Sequence, residues 1–396
     1  MIGCVIVNDF DLSYLKLDEK RRLHVNYDYL EPYKDDVLRF LDGEDKLKTL
    51  RFAKRAMMSQ EIKANNTIEG IADDLSLIDE VIKNRVTLSE IERKRIINLY
   101  HGYQYILTHS DINKESLRNL YSLLSDDILS SYDQKSLGEY YRTKPVYIIK
   151  GNNLGNDYYE GVNPENIDNY MNYLFEYINS NFLSDTEINS FIKSQIMHFY
   201  FVHIHPYPDV NGRTSRTLAM WYLLNQKSYP YIIFNRAIAF SQPEYEKNLI
   251  ITRECDDATL FLRYMLENTL KELEKEYVIE SIRENSDTNL TKMDLQMIEY
   301  LLTTNANLTA KDLATTYNHY NDSKRANIII EEKIMPLIEK GVFVKKGDTK
   351  SYIDSNRHNF NIELNKGLVD VNKSKIKHLK IDRYIYNGRF FLLFLI

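Results

Sequence analysis

The chain has 396 residues, 43% of them hydrophobic and 27% charged, and a net charge of −6. That length asks for two or three domains, and the composition is that of a soluble globular protein with a core of its own. The acidic balance excludes a surface coated for nucleic acid while leaving room for a local basic site, and two cysteines, Cys4 and Cys255, exclude a disulfide framework or a cysteine metal centre.

The opening stretch, "MIGCVIVNDFDLSYLK", lacks the basic start and long apolar run of a signal peptide. With so few cysteines, a reducing interior follows, and the cytoplasm is the expected address. Apolar residues at three- and four-residue spacing predict helices over Asp45–Ile71 and Thr87–Ser110, and again in "NKESLRNLYSLLSDDIL" and "NIDNYMNYLFEYINSNF". Asn163-Pro164-Glu165 supplies a start for the last of these. Between the last two, Tyr141–Val162 reads as a β-hairpin: a β-rich run, a turn cluster and a second aromatic run. The turn cluster "GNNLGN" lacks the Lys-Ser/Thr ending of a phosphate loop, so turn chemistry accounts for it.

Residues 186–204 predict a helix that ends as Pro206 and Pro208 withdraw backbone donors. His205 then stands at its exit, Asn211-Gly212 makes the turn, and "RTSRTLAMWYLLN" begins the next helix. The unpaired N–H groups and positive dipole end of that helix form an anion site. Arg213 and Arg216, three apart, can clamp phosphate oxygens from one side. Asp209 is a hard oxygen ligand suited to a magnesium ion that bridges phosphates. A histidine can take a proton from an incoming hydroxyl. Each residue alone suits a capped helix connection; together, within twelve residues, they form a set for phosphoryl chemistry.

Further on, "ATLFLRYMLENTLKELEKEYVIESIREN" predicts a long amphipathic helix. Residues 288–355 then read as three helices and two short strands around Gly347-Asp348, the layout of a winged helix-turn-helix. Lys324, Arg325, Lys345, Lys346 and Lys350 give this segment basic character, diluted by Glu331, Glu332, Glu339 and Asp348. DNA binding and a protein-docking, dimer-supporting role are both open to it. "NKSKIKHLK" in the tail reads as a solvated face, and the final "FFLLFLI" is far shorter than the roughly 20 residues of a membrane span. No membrane partner is expected.

"HPYPDVNGRTSR", residues 205–216, resembles the signature of the Fic (Fido) family, His-Pro-Phe-x-Asp/Glu-Gly-Asn-Gly-Arg-x-x-Arg. The resemblance covers roughly residues 50–275. It implies a mainly α fold: an N-terminal helical region over 1–95, a Fic helical core with a β-hairpin flap over 96–280, the small winged-helix domain at 288–355 and a tail over 356–396. The implied activity is that of a protein adenylyltransferase, moving AMP from ATP to a Tyr, Ser or Thr hydroxyl of a target protein. By the same resemblance His205 is the general base and Asp209 the Mg2+ ligand. Asn211 and Gly212 hold the phosphates, Arg213 binds the β- and γ-phosphates, and Arg216 binds the γ-phosphate. The flap near Val146–Ile149 would pair with an extended target segment.

Two positions depart from the signature. Tyr207 stands where Phe is usual and keeps an aromatic anchor. Val210 stands where Gly is usual; its N–H is retained as an anion donor, but turnover suffers if the position needs a positive φ. Upstream, Asn65-Asn66-Thr67-Ile68-Glu69-Gly70 resembles the family's inhibitory helix, with Asn65 in place of Ser/Thr. Glu69 would then pair with Arg216, Asn65 would support Glu69, and the γ-phosphate would lose its place. Relatives can use this glutamate to remove AMP as well. The rival reading is a DNA-binding regulator whose Fic core senses nucleotide or uses another phosphate donor.

Overall fold

The computed structural model describes residues 15–30, 55–71, 75–83, 90–149, 158–184, 186–227, 232–239, 241–285, 326–346 and 361–364, with isolated positions between 290 and 310. It divides into two compact units, Met1–Leu38 with Lys48–Glu272, and Arg39–Leu47 with Leu273–Ile396.

The first unit is mainly helical. In chain order it holds α1 (Arg55–Ile68), α2 (Leu75–Ile82), α3 (Glu90–Thr108), α4 (Lys114–Leu124), α5 (Ser131–Ser136), β1 (Tyr147–Ile149), β2 (Tyr158–Glu160) and α6 (Ile167–Asn179). Then come α7 (Glu187–Ile204), α8 (Asn211–Asn225), α9 (Phe234–Ala239), α10 (Gln242–Cys255) and α11 (Thr259–Asn285), the last crossing the division between units. The expected hairpin is present, with Tyr147 opposite Glu160 and Ile149 opposite Tyr158 in antiparallel register.

Helix α4 shows how the sequence sets an element. Asn113 and Ser116 form a reciprocal cap, and Leu117, Leu120, Tyr121 and Leu124 line one buried stripe. Asn163 caps a short 3-10 turn, Pro164–Asn166, which leads into α6. The centre of the unit is the α7–α8 pair. Ile192, Ile196, Met197, Tyr200 and Phe201 of α7 are buried, as are Leu218, Met220, Trp221 and Leu223 of α8. A helix surrounded on all sides needs partners for its polar groups, and Trp221 Nε1 donates to His109 O at 2.5 Å. This pair is the rigid base on which the loop 205–210 is mounted.

In the second unit, Ala326–Ile329 is α-helical, Ile330–Ile334 forms a π-helical turn and Met335–Glu339 is α-helical again. Ile329, Ile330, Ile334 and Leu337 are buried. Strand β3 (Phe343–Lys346) pairs antiparallel with β4 (Asn361–Leu364), Phe343 lying opposite Leu364. The strand partner therefore falls later than the residues directly after Gly347-Asp348, where the sequence reading sets the second strand. Those residues lie outside the described ones, as do the "GNNLGN" turn, Lys324, Arg325, Lys350, Cys4 and the tail beyond Leu364. Among the described residues no helix is long and apolar enough to cross a membrane.

Candidate active site

Helix α7 ends at Ile204, and His205 caps it in the left-handed conformation, φ 53° and ψ 58°. Its N–H still closes the last turn on Phe201 O at 2.9 Å. Nδ1 lies 3.3 Å from Val202 O. A carbonyl there calls for an Nδ1–H donor, which leaves the Nε2 lone pair for proton abstraction. The half-buried ring has its pKa lowered to about 4, chiefly by burial, with Arg142 and Arg253 adding to the effect. The imidazole is therefore neutral at pH 7, as a base must be.

The loop that follows is held by aromatic packing and one asparagine. Tyr207 is buried and stacked on Tyr121 of α4, ring centroids 3.6 Å apart. Tyr207 N–H donates to Asn211 Oδ1 at 3.0 Å, and Asn211 Nδ2 donates to Tyr207 O at 2.8 Å. The Asn211 side chain, placed on the phosphates by resemblance, here braces the loop. Asn211 and Gly212 are also the first residues of α8 rather than the turn before it. Val210 makes that turn, with φ 65° and ψ 13°. For a β-branched residue this is a strained conformation, worth on the order of 1–3 kcal/mol. The Val210 N–H, expected to face an anion, donates instead to Asp209 Oδ1 at 2.6 Å. Among the described residues no side-chain hydrogen bond caps the N-terminus of α8, so its first N–H groups remain available to an anion.

Arg213 and Arg216 rise from the first turn of α8 into different surroundings. Arg213 is 6% exposed, and its Nε has no hydrogen-bond partner among the described residues. Burial lowers its pKa, opposed by the carboxylates of Glu69 and Asp209. Arg216, 2% exposed, donates from Nε and Nη2 to Asn65 Oδ1 at 3.2 and 2.8 Å, and from Nη2 to Glu69 Oε1 at 2.5 Å. Asn65 Nδ2 in turn donates to Tyr103 OH at 3.2 Å. Asn65 thus holds Arg216 directly rather than through Glu69.

Glu69 reaches this position by a helix stop. Ile71 N–H donates to Asn66 O and Gly70 N–H to Thr67 O, a Schellman closure with Gly70 at φ 75°. Glu69 is the last residue before that glycine, its side chain 31% accessible. A Cβ built on Gly212 would lie 3.0 Å from Glu69 Oε1, so the carboxylate rests against the start of α8. Burial raises the Glu69 pKa, but the guanidiniums of Arg216 and Arg213 outweigh it and hold the group below its usual range. A carboxylate bound to an arginine lies at an open helix N-terminus.

Residues 111–223 match the Fic/DOC family. The matched segment holds the flap strands, His205, Asp209, Asn211, Gly212, Arg213 and Arg216; Asn65 and Glu69 lie before it. A protein adenylyltransferase Fic of Nematostella vectensis is 26% identical over 185 residues, 44% of this chain and 39% of its own. Its counterpart named in Drosophila mojavensis is 27% identical over 234 residues, 57% of this chain and 42% of its own. The matches thus span about two fifths of those relatives. A Fic family protein from Desulfovibrio desulfuricans G20 has a similar fold, with a TM-score of 0.53 at 18% identity, covering 85% of this chain and 95% of the other.

One residue at this site has no signal in spacing or motif. Arg142, just before the flap, is 2% exposed and reaches the backbone of His205. Only the folded chain brings them together. Among the described residues, no three His, Cys, Asp or Glu side chains gather as a metal cage; Asp209 is the one exposed carboxylate in the loop 205–210.

Proposed function

We propose that the chain is a protein adenylyltransferase held off by its own Glu69. The observation that carries this reading is the Glu69–Arg216 pair at 2.5 Å, beside the uncapped start of α8. The site already accommodates one anionic oxygen, and phosphate oxygens have the same needs: buried guanidinium donors and helix N–H groups. With Glu69 withdrawn, Arg216 and the unpartnered Nε of Arg213 would receive the β- and γ-phosphates of ATP. A target hydroxyl would attack the α-phosphorus, forming the new P–O bond as the bond to pyrophosphate breaks. His205 Nε2 takes the hydroxyl proton and pyrophosphate carries away the leaving electrons.

A single exposed carboxylate fits a magnesium ion held mostly by phosphates and water, and Asp209 would supply it. When bound, the ion would neutralise charge on the departing pyrophosphate. The target's extended segment would align on the outer edge of β1, since the flap sheet among the described residues has two strands. A homodimer, removal of AMP by the same site and DNA binding through 288–355 extend the proposal. For DNA the support is Lys345 and Lys346 on β3, and steep weakening with salt is its test.

The deciding experiment uses ATP labelled at the α-phosphate, Mg2+ and cell lysate. Glu69→Gly is expected to raise AMP incorporation into protein at least tenfold over the parent, and His205→Ala in that background to abolish it. Equal incorporation with and without His205, or none in either form, would remove the reading. Label retained from the γ- but not the α-phosphate would turn it towards another donor chemistry.

A further inference from the structure

Arg142 carries a buried charge with no carboxylate beside it among the described residues. Its donors go to backbone carbonyls of separate segments. Nε donates to His205 O at 2.7 Å, Nη1 to Lys144 O at 2.7 Å and Nη2 to Val162 O at 2.5 Å. Its own N–H donates to Pro206 O at 2.9 Å. One planar guanidinium therefore joins the His205 turn to both chain ends that lead into and out of the flap. The strands between are β1 and β2.

The surroundings fit that role. His205 is a non-glycine residue at φ 53°, a conformation that persists only where neighbours fix it. Arg142 holds the carbonyl of that very residue. Val162 N–H donates to Ile204 O at 3.2 Å and Gly161 N–H to Val146 O at 3.1 Å, closing the flap onto the end of α7. The approach at Gly161 leaves no room for a side chain. A Cβ there would stand 2.7 Å from Arg142 Nη2 and 3.2 Å from His205 Cβ. On β2 itself, Arg253 lies 3.9 Å over the Tyr159 ring and donates to Glu160 O at 2.6 Å.

We propose that Arg142 is a positioning residue that locks the His205 turn and the flap into one rigid piece, so that the base and the target-receiving edge keep a fixed separation. This rests on the adenylyltransferase reading for the words base and target; the tie itself does not. A lysine cannot replace it, because the three N–H donors of an ammonium radiate from one nitrogen and cannot span three carbonyls arranged around a planar fork.

The test places Arg142→Met and Arg142→Lys in the Glu69→Gly form. Both are expected to lower kcat at least tenfold while the ATP dissociation constant, measured by calorimetry, stays within twofold. Amides of Gly161 and Val162 should lose hydrogen-exchange protection at least tenfold. The charges bearing on the His205 imidazole are Arg142, Arg253 and Glu69. Its titration followed by NMR should therefore move upward in Arg142→Met and stay closer to the parent in Arg142→Lys. Kcat within twofold of the parent, ATP binding lost in step with kcat, or unchanged exchange and titration would each overturn the proposal. Gly161→Ala, which pushes on the same guanidinium, decides by the same readings if Arg142→Met does not fold. If the Glu69→Gly form transfers no AMP, the function reading fails alone, and exchange and titration still decide the tie.

Discussion

The proton chemistry of His205 follows from its burial. With its pKa lowered to about 4, the free protein keeps a neutral imidazole across the physiological range. In the Glu69→Gly form, kcat/KM is expected to be flat above about pH 5 and to fall about tenfold per unit below about pH 4. A rate profile with its acid limb near 6.5 would show a solvated ring instead. Tyr207 makes a different prediction. Its ring is stacked and buried, yet among the described residues its hydroxyl has no hydrogen-bond partner. Removing a buried unpaired hydroxyl spares its desolvation penalty, so Tyr207→Phe should raise stability by about 1 kcal/mol in denaturant unfolding. The grouping of His205 with Arg213 and Arg216 was legible because the motif is contiguous. The positive φ of Val210 was legible only as a condition, which its backbone meets.

At the scale of elements, α1 and the residue just past its end carry three polar side chains four residues apart, Glu61, Asn65 and Glu69, and therefore on one face. Asn65 and Glu69 hold Arg216. Glu61, fully buried, lies 3.5 Å from Arg236 of α9, whose Nη1 donates to Gln60 Oε1 at 3.3 Å. This face sets the rotation of the helix and so aims Glu69. Breaking a buried ion pair by removing one charge costs about 3–5 kcal/mol. Glu61→Gln should loosen α1, lowering the Tm and raising AMP incorporation above the parent with Glu69 intact. Activity no higher than the parent would separate Glu61 from the brake. The helices were legible from apolar spacing, since each buries one stripe. What escaped was long-range: Arg142 finds one of its carbonyls 63 residues away at His205, and β3 finds its partner past the expected strand. Nothing local in either sequence names the partner.

For the molecule as a whole, burial of neutral histidines sets the acid limit. His198 and His203 have pKa values lowered to about 3 and His205 to about 4, mainly by desolvation. The unfolded chain takes up protons near 6.5 that the native chain refuses. Stability should therefore fall as pH drops from about 6.5 towards 4, by up to about 1.4 kcal/mol per pH unit for each histidine. Thermal unfolding followed across pH 4–8 checks this; a Tm independent of pH over that window would contradict it. Glu69 adds to the same acid sensitivity at lower pH: its bond to Arg216 is present above the unfolded carboxyl value and is lost as acid passes through its lowered one.

The glycine stop at Gly70 bears on this last contact. Because Glu69 stands one residue past the end of α1, unravelling one terminal turn withdraws the carboxylate, while Asn65, a turn deeper, keeps its grip on Arg216. On the proposed reading, idle and working forms would differ by a frayed helix tip rather than by the departure of the whole element, and warming, which eases fraying, should raise AMP incorporation by degrees.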